Sequence, residues 1–182
     1  MPKSVSIPKL ISNKSKTDQE YIEEAKQYVD KHFPNNYGTT SDFQFPISHD
    51  VAKKWLKDFI EKKFAKFGDY QDSIVQGEDY GFHSILSSSI NIGLINPLEI
   101  FEEIKSKPAS VPMNSYEGYI RQLYWREYQR FCTIYAKFNG NYFGNTKKLS
   151  KSWYDGTLGI PPVDDAIKSA FETGYLHHIN RL

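Results

Sequence analysis

Apolar residues recur at three- and four-residue intervals through most of the chain, and no stretch alternates apolar with polar positions as a half-buried strand would. Tyr21, Ile22, Ala25, Tyr28, Val29 and Phe33 form the first helical stripe. Thr17-Asp-Gln-Glu20 precedes it as a capping box, and Pro34-Asn-Asn stops it. A second stripe runs from Asp50 to Phe67 as Val51, Ala52, Trp55, Leu56, Phe59, Ile60 and Phe64. Lys53, Lys54, Lys57, Lys62, Lys63 and Lys66 are assigned to its other faces. Phe82 to Ile95 is almost uncharged, which predicts a largely buried helix. Asn96-Pro97-Leu98-Glu99 supplies an N-cap, a proline at the first helical position and a glutamate at the third, opening a short helix that ends before Pro108.

A longer helix is expected from Ser115 to Tyr135, followed by an irregular basic stretch from Asn139 to Ser152. Pro161-Pro162 and Asp164 begin a last helix, with Val163, Ile167, Ala170, Phe171, Leu176 and Ile179 turned inward and the chain ending inside it. Residues 1–16 hold Pro2, Pro8 and repeated Ser and Lys and read as a flexible lead-in, leaving residues 17–182 as one domain. The fold class expected is mainly α.

Composition narrows the functions. At 182 residues about 70% of the unfolded surface can be buried, so no disulfide or structural metal is required. Lys+Arg 23 against Asp+Glu 22 excludes a polybasic nucleic-acid coat and an acidic solvating tail. A single cysteine, Cys132, excludes a disulfide framework, a thiolate zinc site and a self-contained iron–sulfur cluster. No apolar run has the length of a membrane span, and Met1-Pro-Lys-Ser-Val-Ser lacks a signal-peptide core. A soluble, intracellular protein, cytoplasmic or nuclear, is expected.

Four clusters are candidates for chemistry, and each also has a plain structural explanation. His83-Ser84-Ile85-Leu86-Ser87-Ser88-Ser89, leading to Gly93, places hydroxyls and backbone N–H groups where a phosphate would bind; small serines would equally serve close helix packing. Gln122, Trp125 and Arg126 share a helix face that suits base stacking and phosphate binding. The alternative is a core tryptophan with an Arg126–Glu127 pair tying helices together. Arg121, Arg126 and Arg130 all lie on this one helix, which favours anion recognition. Trp153-Tyr-Asp-Gly156-Thr-Leu-Gly159-Ile-Pro-Pro-Val-Asp164 reads as a rigid loop ahead of a helix. His177-His178, placed on the last helix, would diverge by about 100° and could not both face one metal, so no metal site is expected.

The order of these clusters carries more than any one of them. Trp125-Arg126-Glu127, then Trp153-x-x-Gly156-x-x-Gly159-Ile-Pro-Pro-Val-Asp164, then Gly174-Tyr175-Leu-His177-His178-Ile-Asn-Arg181, resembles the FAD-binding domain of photolyases and cryptochromes, in the photolyase-related branch. Phe67-Gly-Asp-Tyr70-Gln-Asp, Phe82-His83-Ser84-x-Leu86-Ser87 and Asn91-Ile-Gly-Leu-Ile-Asn-Pro97 resemble its opening helices in the same order. The resemblance covers about Phe45 to Leu182. It implies an all-helical domain holding a U-shaped FAD beside a cavity for an extruded pyrimidine lesion, with light-driven electron transfer as the repair chemistry.

By that resemblance Tyr70, Ser84, Leu86 and Ser87 hold the FAD phosphates and ribityl chain, and Trp125 with Gln122 forms the wall facing the lesion. Arg126 and Glu127 are structural or lie near the adenine. Trp153 serves electron transfer, and His178 is a pocket histidine near flavin and lesion, with His177 the lesser candidate. Lys147, Lys148 and Lys151 either touch DNA phosphate or form an ordinary solvated loop. Family members also carry an N-terminal α/β antenna domain and segments beyond the His-His helix, neither of which has a counterpart here. Their iron–sulfur members have a cysteine near the position of Pro162, so no cluster is expected. Three readings stay open: one piece of a split photolyase completed by a separate chain, a non-enzymatic remnant, or a helical DNA- or protein-binding module without flavin. The first is favoured, with the isolated chain inactive and exposed apolar faces at Phe171, Ile179 and Leu182.

Overall fold

The computed structural model describes residues 1–2, 4–12, 15–106, 111–136, 144 and 146–181. Eight α-helices follow in chain order: α1 (Lys16–His32), α2 (His49–Lys62), α3 (Phe64–Tyr70), α4 (Ser87–Asn91), α5 (Pro97–Lys105), α6 (Met113–Tyr135), α7 (Lys151–Asp155) and α8 (Pro161–Thr173), and a single 3-10 turn (His178–Arg181) closes the described chain. An isolated bridge between Val75 and Glu78 is the one β contact among the described residues. The mainly helical class expected from the sequence is therefore observed.

The α2 stripe builds the core as its spacing predicts. Val51, Ala52, Trp55, Leu56 and Phe59 are buried and join Phe64 and Phe67 of α3, Ile100 and Ile104 of α5, and Tyr119 of α6. Asn96 caps α5 as expected: its side chain accepts from the Leu98 N–H at 2.9 Å, and Glu99 accepts from the Asn96 N–H at 3.0 Å. Leu10 and Ile11, in the expected lead-in, pack against the core.

Several boundaries differ from the sequence reading, each for a local reason. The capping box of α1 is Ser15 with Asp18, two residues before Thr17, with paired bonds of 3.0 and 3.1 Å. Only Ile22 of the α1 stripe is buried; Tyr21, Tyr28, Val29 and Phe33 stay exposed. The expected helix from 50 to 67 breaks at Lys63, which belongs to neither α2 nor α3. Phe59 and the next buried aromatic, Phe64, are five residues apart, a gap that one continuous helix would turn off the core face. Phe82–Ile95 is buried at Phe82, Ile85, Leu86, Ser89 and Ile95, yet only Ser87–Asn91 is helical. Ile85 at φ +57° stops a helix on one side and Gly93 at φ +79° on the other.

The last helix also ends, contrary to expectation. Gly174 takes φ +68° and donates its N–H to Ala170 O at 3.1 Å, a left-handed C-cap, so Leu176 to Ile179 lie beyond α8. Residues 139–143 and 145 of the expected basic stretch lie outside the described residues; residues 146–150 are irregular, and its end, from Lys151, is the start of α7.

Lys63 was assigned to a solvent face and is instead 2% exposed, its Nζ without a hydrogen-bond partner among the described residues. One turn after Phe59 it falls on the core side whether or not the helix breaks. Burial holds its pKa below 10.5; Asp58 and Glu78 act in the opposite sense and Lys62 reinforces the depression. Removing an unpaired buried ammonium in favour of an apolar chain of similar length relieves that desolvation, so Lys63→Met should stabilise the protein by about 1–3 kcal/mol in urea denaturation. The unfolded chain binds more protons than the folded one between the depressed folded pKa and 10.5. Wild-type stability should therefore rise with pH across that window, and the rise should be absent in Lys63→Met. A variant less stable than wild type would show that the ammonium has a satisfied role.

Candidate functional site

Three segments far apart in sequence meet beside the α3–α6 contact. The C-terminal end of α3 brings Tyr70, Gln71 and Asp72; the turn before α4 brings Phe82, His83, Ser84, Ile85, Leu86 and Ser87; the segment after Gly174 brings His177 and His178. Tyr70 stacks on Phe82 with ring centroids 5.1 Å apart. The His83 ring nitrogen Nε2 lies 3.0 Å from Gln71 O, and His178 Nε2 lies 3.3 Å from Asp72 Oδ1.

The Ser84–Ser87 turn is held under strain. Ile85 is β-branched yet sits at φ +57°, in the left-handed region, and is 4% exposed. Strain of this kind persists only where the surroundings over-determine it. Here Ile85 and Leu86 are anchored in the core, and the Tyr119 hydroxyl donates to Ser84 Oγ at 2.9 Å. Burial pushes the Tyr119 phenol up to about 12, so it remains a donor. With its side chain 1% exposed in the core, Leu86 has only backbone groups to offer a ligand. Ser87 is exposed at the start of α4, while the hydroxyls of Ser88 and Ser89 are buried with no hydrogen-bond partner among the described residues.

His83, His177 and His178 form a compact cluster. His83 lies edge-on to His177 at 4.3 Å and to His178 at 4.7 Å between centroids. Burial, with the two neighbouring imidazoles adding to it, lowers the His83 pKa to about 3, so this ring is neutral at physiological pH. The expectation that His177 and His178 diverge on a helix is corrected: the Gly174 cap ends α8 before them, and both turn inward to the same ring.

On α6 the expected alternatives divide. Trp125 is 55% exposed and stacks on Tyr128 at 5.1 Å, so it is no core tryptophan. Gln122 is half-buried beside it. Arg126, by contrast, is a tie: it pairs with Glu127 at 2.6 Å and reaches Asn91 Oδ1 at the end of α4 at 3.3 Å. Glu127 also pairs with Arg130 at 3.0 Å, and Glu117 with Arg121 at 3.3 Å. The three arginines expected to recognise an anion thus each have a carboxylate within the helix.

Trp153 is 43% exposed on α7, which packs on α8. The loop joining the two is set by Asp164, 9% exposed, whose carboxylate accepts from the Leu158 N–H at 2.7 Å and the Gly159 N–H at 2.9 Å. Gly156 at φ +62° runs so close to Asp164 O that a Cβ there would lie 2.9 Å away. Asp164→Ala should cost about 2 kcal/mol by leaving both N–H groups without their acceptor, and Asp164→Asn, which keeps one acceptor, roughly half that. Thermal denaturation of both variants checks the order; equal losses would mean the carboxylate acts only through packing. Lys147, Lys148 and Lys151 are exposed, and Lys151 pairs with Asp155 at 3.5 Å.

Sequence reasoning missed Gln71, Asp72 and Tyr119, which fix the rings and the serine turn. Asp72 follows Tyr70 by two residues, but its partner His178 is over a hundred positions away, and no periodicity reports such a pairing. A cleft of about 470 Å³ lies elsewhere, between α1 and residues 39–47, and none of Tyr70, Ser84, Leu86 or Ser87 lines it.

No protein-family profile matches the chain. It is 43% identical over 110 residues to an uncharacterized protein of Acanthamoeba polyphaga mimivirus, covering 58% of this chain and 85% of that one. It is 32% identical over 160 residues to a (6-4) photolyase of Agrobacterium fabrum, covering 85% of this chain and 32% of the relative. The chain therefore spans about a third of that photolyase. A mitochondrial deoxyribodipyrimidine photo-lyase of Saccharomyces cerevisiae is 26% identical over 75% of this chain, which spans 26% of it. Among solved structures, a Synechocystis cryptochrome superposes with TM-score 0.66 at 20% identity over 84% of this chain and 34% of its own. A class III photolyase from Agrobacterium tumefaciens superposes with TM-score 0.62 at 21% identity over 99% of this chain and 37% of its own. Ancestry by sequence and architecture by superposition agree, and this chain belongs to the photolyase/cryptochrome superfamily.

Proposed function

We propose that residues 17–182 form one part of a FAD-binding helical domain of photolyase type, completed by a further chain or segment, and that the completed domain repairs UV-induced pyrimidine lesions in DNA. The observation that carries this reading is the Ser84–Ser87 turn. A strained, core-anchored backbone stands there beside two buried serine hydroxyls with no partner among the described residues. Such hydroxyls are costly unless a polar group meets them, and the phosphate-bearing arm of FAD is a group that fits.

In this reading Ser84 and Ser87, the backbone of Leu86 and the Tyr70 ring hold the cofactor, and Tyr119 keeps Ser84 in place. FAD, when bound, supplies the light-excited electron. The exposed Trp125 stacks on the damaged dinucleotide extruded from the duplex, with Gln122 beside it, and Trp153 relays an electron toward the site. His178, held by Asp72, orients a polar group of the lesion. Lys148 and Lys151, with Lys147, meet the DNA backbone. No iron–sulfur cluster enters the scheme.

Incompleteness is supported by the surface of α6. Beyond Trp125, Tyr124, Tyr128, Phe131, Ile134 and Tyr135 are all more than half exposed along its C-terminal half, an apolar face of the kind that a partner covers. This, rather than Phe171, which packs on Tyr37 at 4.5 Å, is where the open apolar surface lies; Leu182 lies outside the described residues. The flavin-free DNA module is less well supported, because Arg121, Arg126 and Arg130 are already paired with glutamates.

The test is the absorbance of the purified chain after incubation with FAD and gel filtration, alone and with the C-terminal segment of a photolyase added. Flavin retained only in the mixture, with light-driven repair of an irradiated oligonucleotide lost in Trp125→Ala, is the expected result. A colourless protein in both cases overturns it.

A further inference from the structure

We propose that His83, His177 and His178 form a binding site for one divalent transition-metal ion of the zinc class. One ligating nitrogen from each of the three rings lies within 4.8 Å of the others. Around tetrahedral zinc, with Zn–N of about 2.0–2.1 Å, ligand nitrogens sit roughly 3.3 Å apart. Contraction by about 1.5 Å at the widest pair therefore completes the triangle. His83 meets its neighbours edge-on, at interplanar angles of 87° and 65°, while His177 and His178 are tilted 30° to one another at 5.3 Å between centroids, so two rings approach the third from the same side.

Outer contacts add an independent argument. Metal-bound histidines present one nitrogen to the ion and donate from the other to a carbonyl or carboxylate, which sets ring orientation and basicity. His83 Nε2 lies 3.0 Å from the Gln71 carbonyl, and His178 Nε2 lies 3.3 Å from the Asp72 carboxylate. Both contacts leave Nδ1 as the nitrogen for an ion. His177 needs one adjustment: its Nδ1 accepts from the Ile179 N–H at 3.3 Å, a long bond that a ring turn or tautomer change releases.

The backbone explains why two adjacent histidines serve one centre. On a helix they would diverge, but Gly174 ends α8 and the chain runs irregularly through Tyr175–His177 before its last turn. Among the described residues, Lys63 acts on His83 and Asp72 on His178, with opposite sign. An all-imidazole set suits zinc, copper or nickel over magnesium or calcium. Three protein ligands leave a fourth position for water, the pattern of open zinc sites. The inference does not rest on the flavin reading, which uses neither His83 nor His177; the two share His178, and with Asp72 on Nε2 and an ion on Nδ1 that ring would serve the ion in place of a lesion.

The experiment uses the full chain, stripped with EDTA and titrated with Zn²⁺ by calorimetry and with Co²⁺ by visible absorption. One equivalent should bind, with the intense absorption of tetrahedral cobalt. Asp72→Asn, at an exposed side chain that leaves packing intact, should weaken Zn²⁺ binding about tenfold, and His83→Gln by more. His32→Gln, at an exposed ring on α1, should leave it unchanged. X-ray absorption of the zinc-loaded wild type should count three imidazoles, which decides the matter even if His83→Gln does not fold. No binding, binding indifferent to Asp72→Asn, or fewer than three imidazoles overturns the proposal. Flavin retention, measured in EDTA, reports on the other reading separately.

Discussion

Replacing Gly68 with alanine should destabilise the protein by about 3 kcal/mol, the upper end of what overpacking costs. At Gly68 a Cβ would lie 2.5 Å from Asn114 C and from Ser115 N and 2.7 Å from Asn114 O, all backbone atoms at the first turn of α6. No rotamer change relieves a contact with backbone, so α3 and α6 must separate. Their seam is also hydrogen-bonded: the Gly68 N–H donates to Ser115 Oγ at 2.8 Å, and that hydroxyl donates to Ala65 O at 3.1 Å. The helix propensity that alanine gains over glycine, about 1 kcal/mol, is too small to compensate. Gly118→Ala is the matched control, since the nearest atoms to its Cβ would belong to the Gln71 side-chain amide, at 3.2 Å, which can swing aside. There the propensity gain offsets the crowding and stability should stay near wild type. Urea denaturation of the two variants checks this, and equal effects would refute the close approach of α3 to α6. For a chain of this size a 3 kcal/mol loss corresponds to roughly 6–12 °C in Tm, enough to loosen the segment carrying Tyr70, Gln71 and Asp72.

Phe59→Ala should cost as much or more, about 3–5 kcal/mol. The ring is 2% exposed and meets Tyr119 at 4.8 Å, Phe64 at 5.5 Å and Phe67 at 6.2 Å between centroids. Its loss leaves a cavity at the centre of an aromatic cluster that belongs to three helices, and rings on separate backbones collapse poorly into it. The effect should reach the serine turn, because Tyr119 packs on Phe59 and holds Ser84 through its hydroxyl. Phe59→Leu, which refills most of the volume, should recover most of the stability. Calorimetric unfolding measures both; a loss under about 1 kcal/mol for Phe59→Ala would mean that the cluster is not the centre of the core.

These two residues show how unevenly the fold was legible. Phe59 stood in a helical stripe, and its burial followed from spacing alone. Gly68 carries no such signal, since nothing local says that another helix comes within touching distance. Lys63 was misplaced for a related reason: lysine is assigned to solvent by composition, while its register one turn after Phe59 put it inside. At the candidate site, Tyr70, Ser84, Leu86, Ser87 and His178 were named by motif order, and the structure brings their segments together. The contacts of Gln71, Asp72 and Tyr119 that hold them came from the structure alone.

Read in sequence alone, the chain declares its helical class, its main core stripe, the Asn96 cap and its superfamily, because those depend on periodicity, local capping and the order of motifs. What needed the tertiary structure is whatever depends on residues distant in the chain: the close seam at Gly68, the strain at Ile85 and the convergence of His83 with His177 and His178. Local free energies of capping and patterning are written into a few neighbouring residues. The energies of packing and of imidazole clustering belong to pairs that only folding brings together.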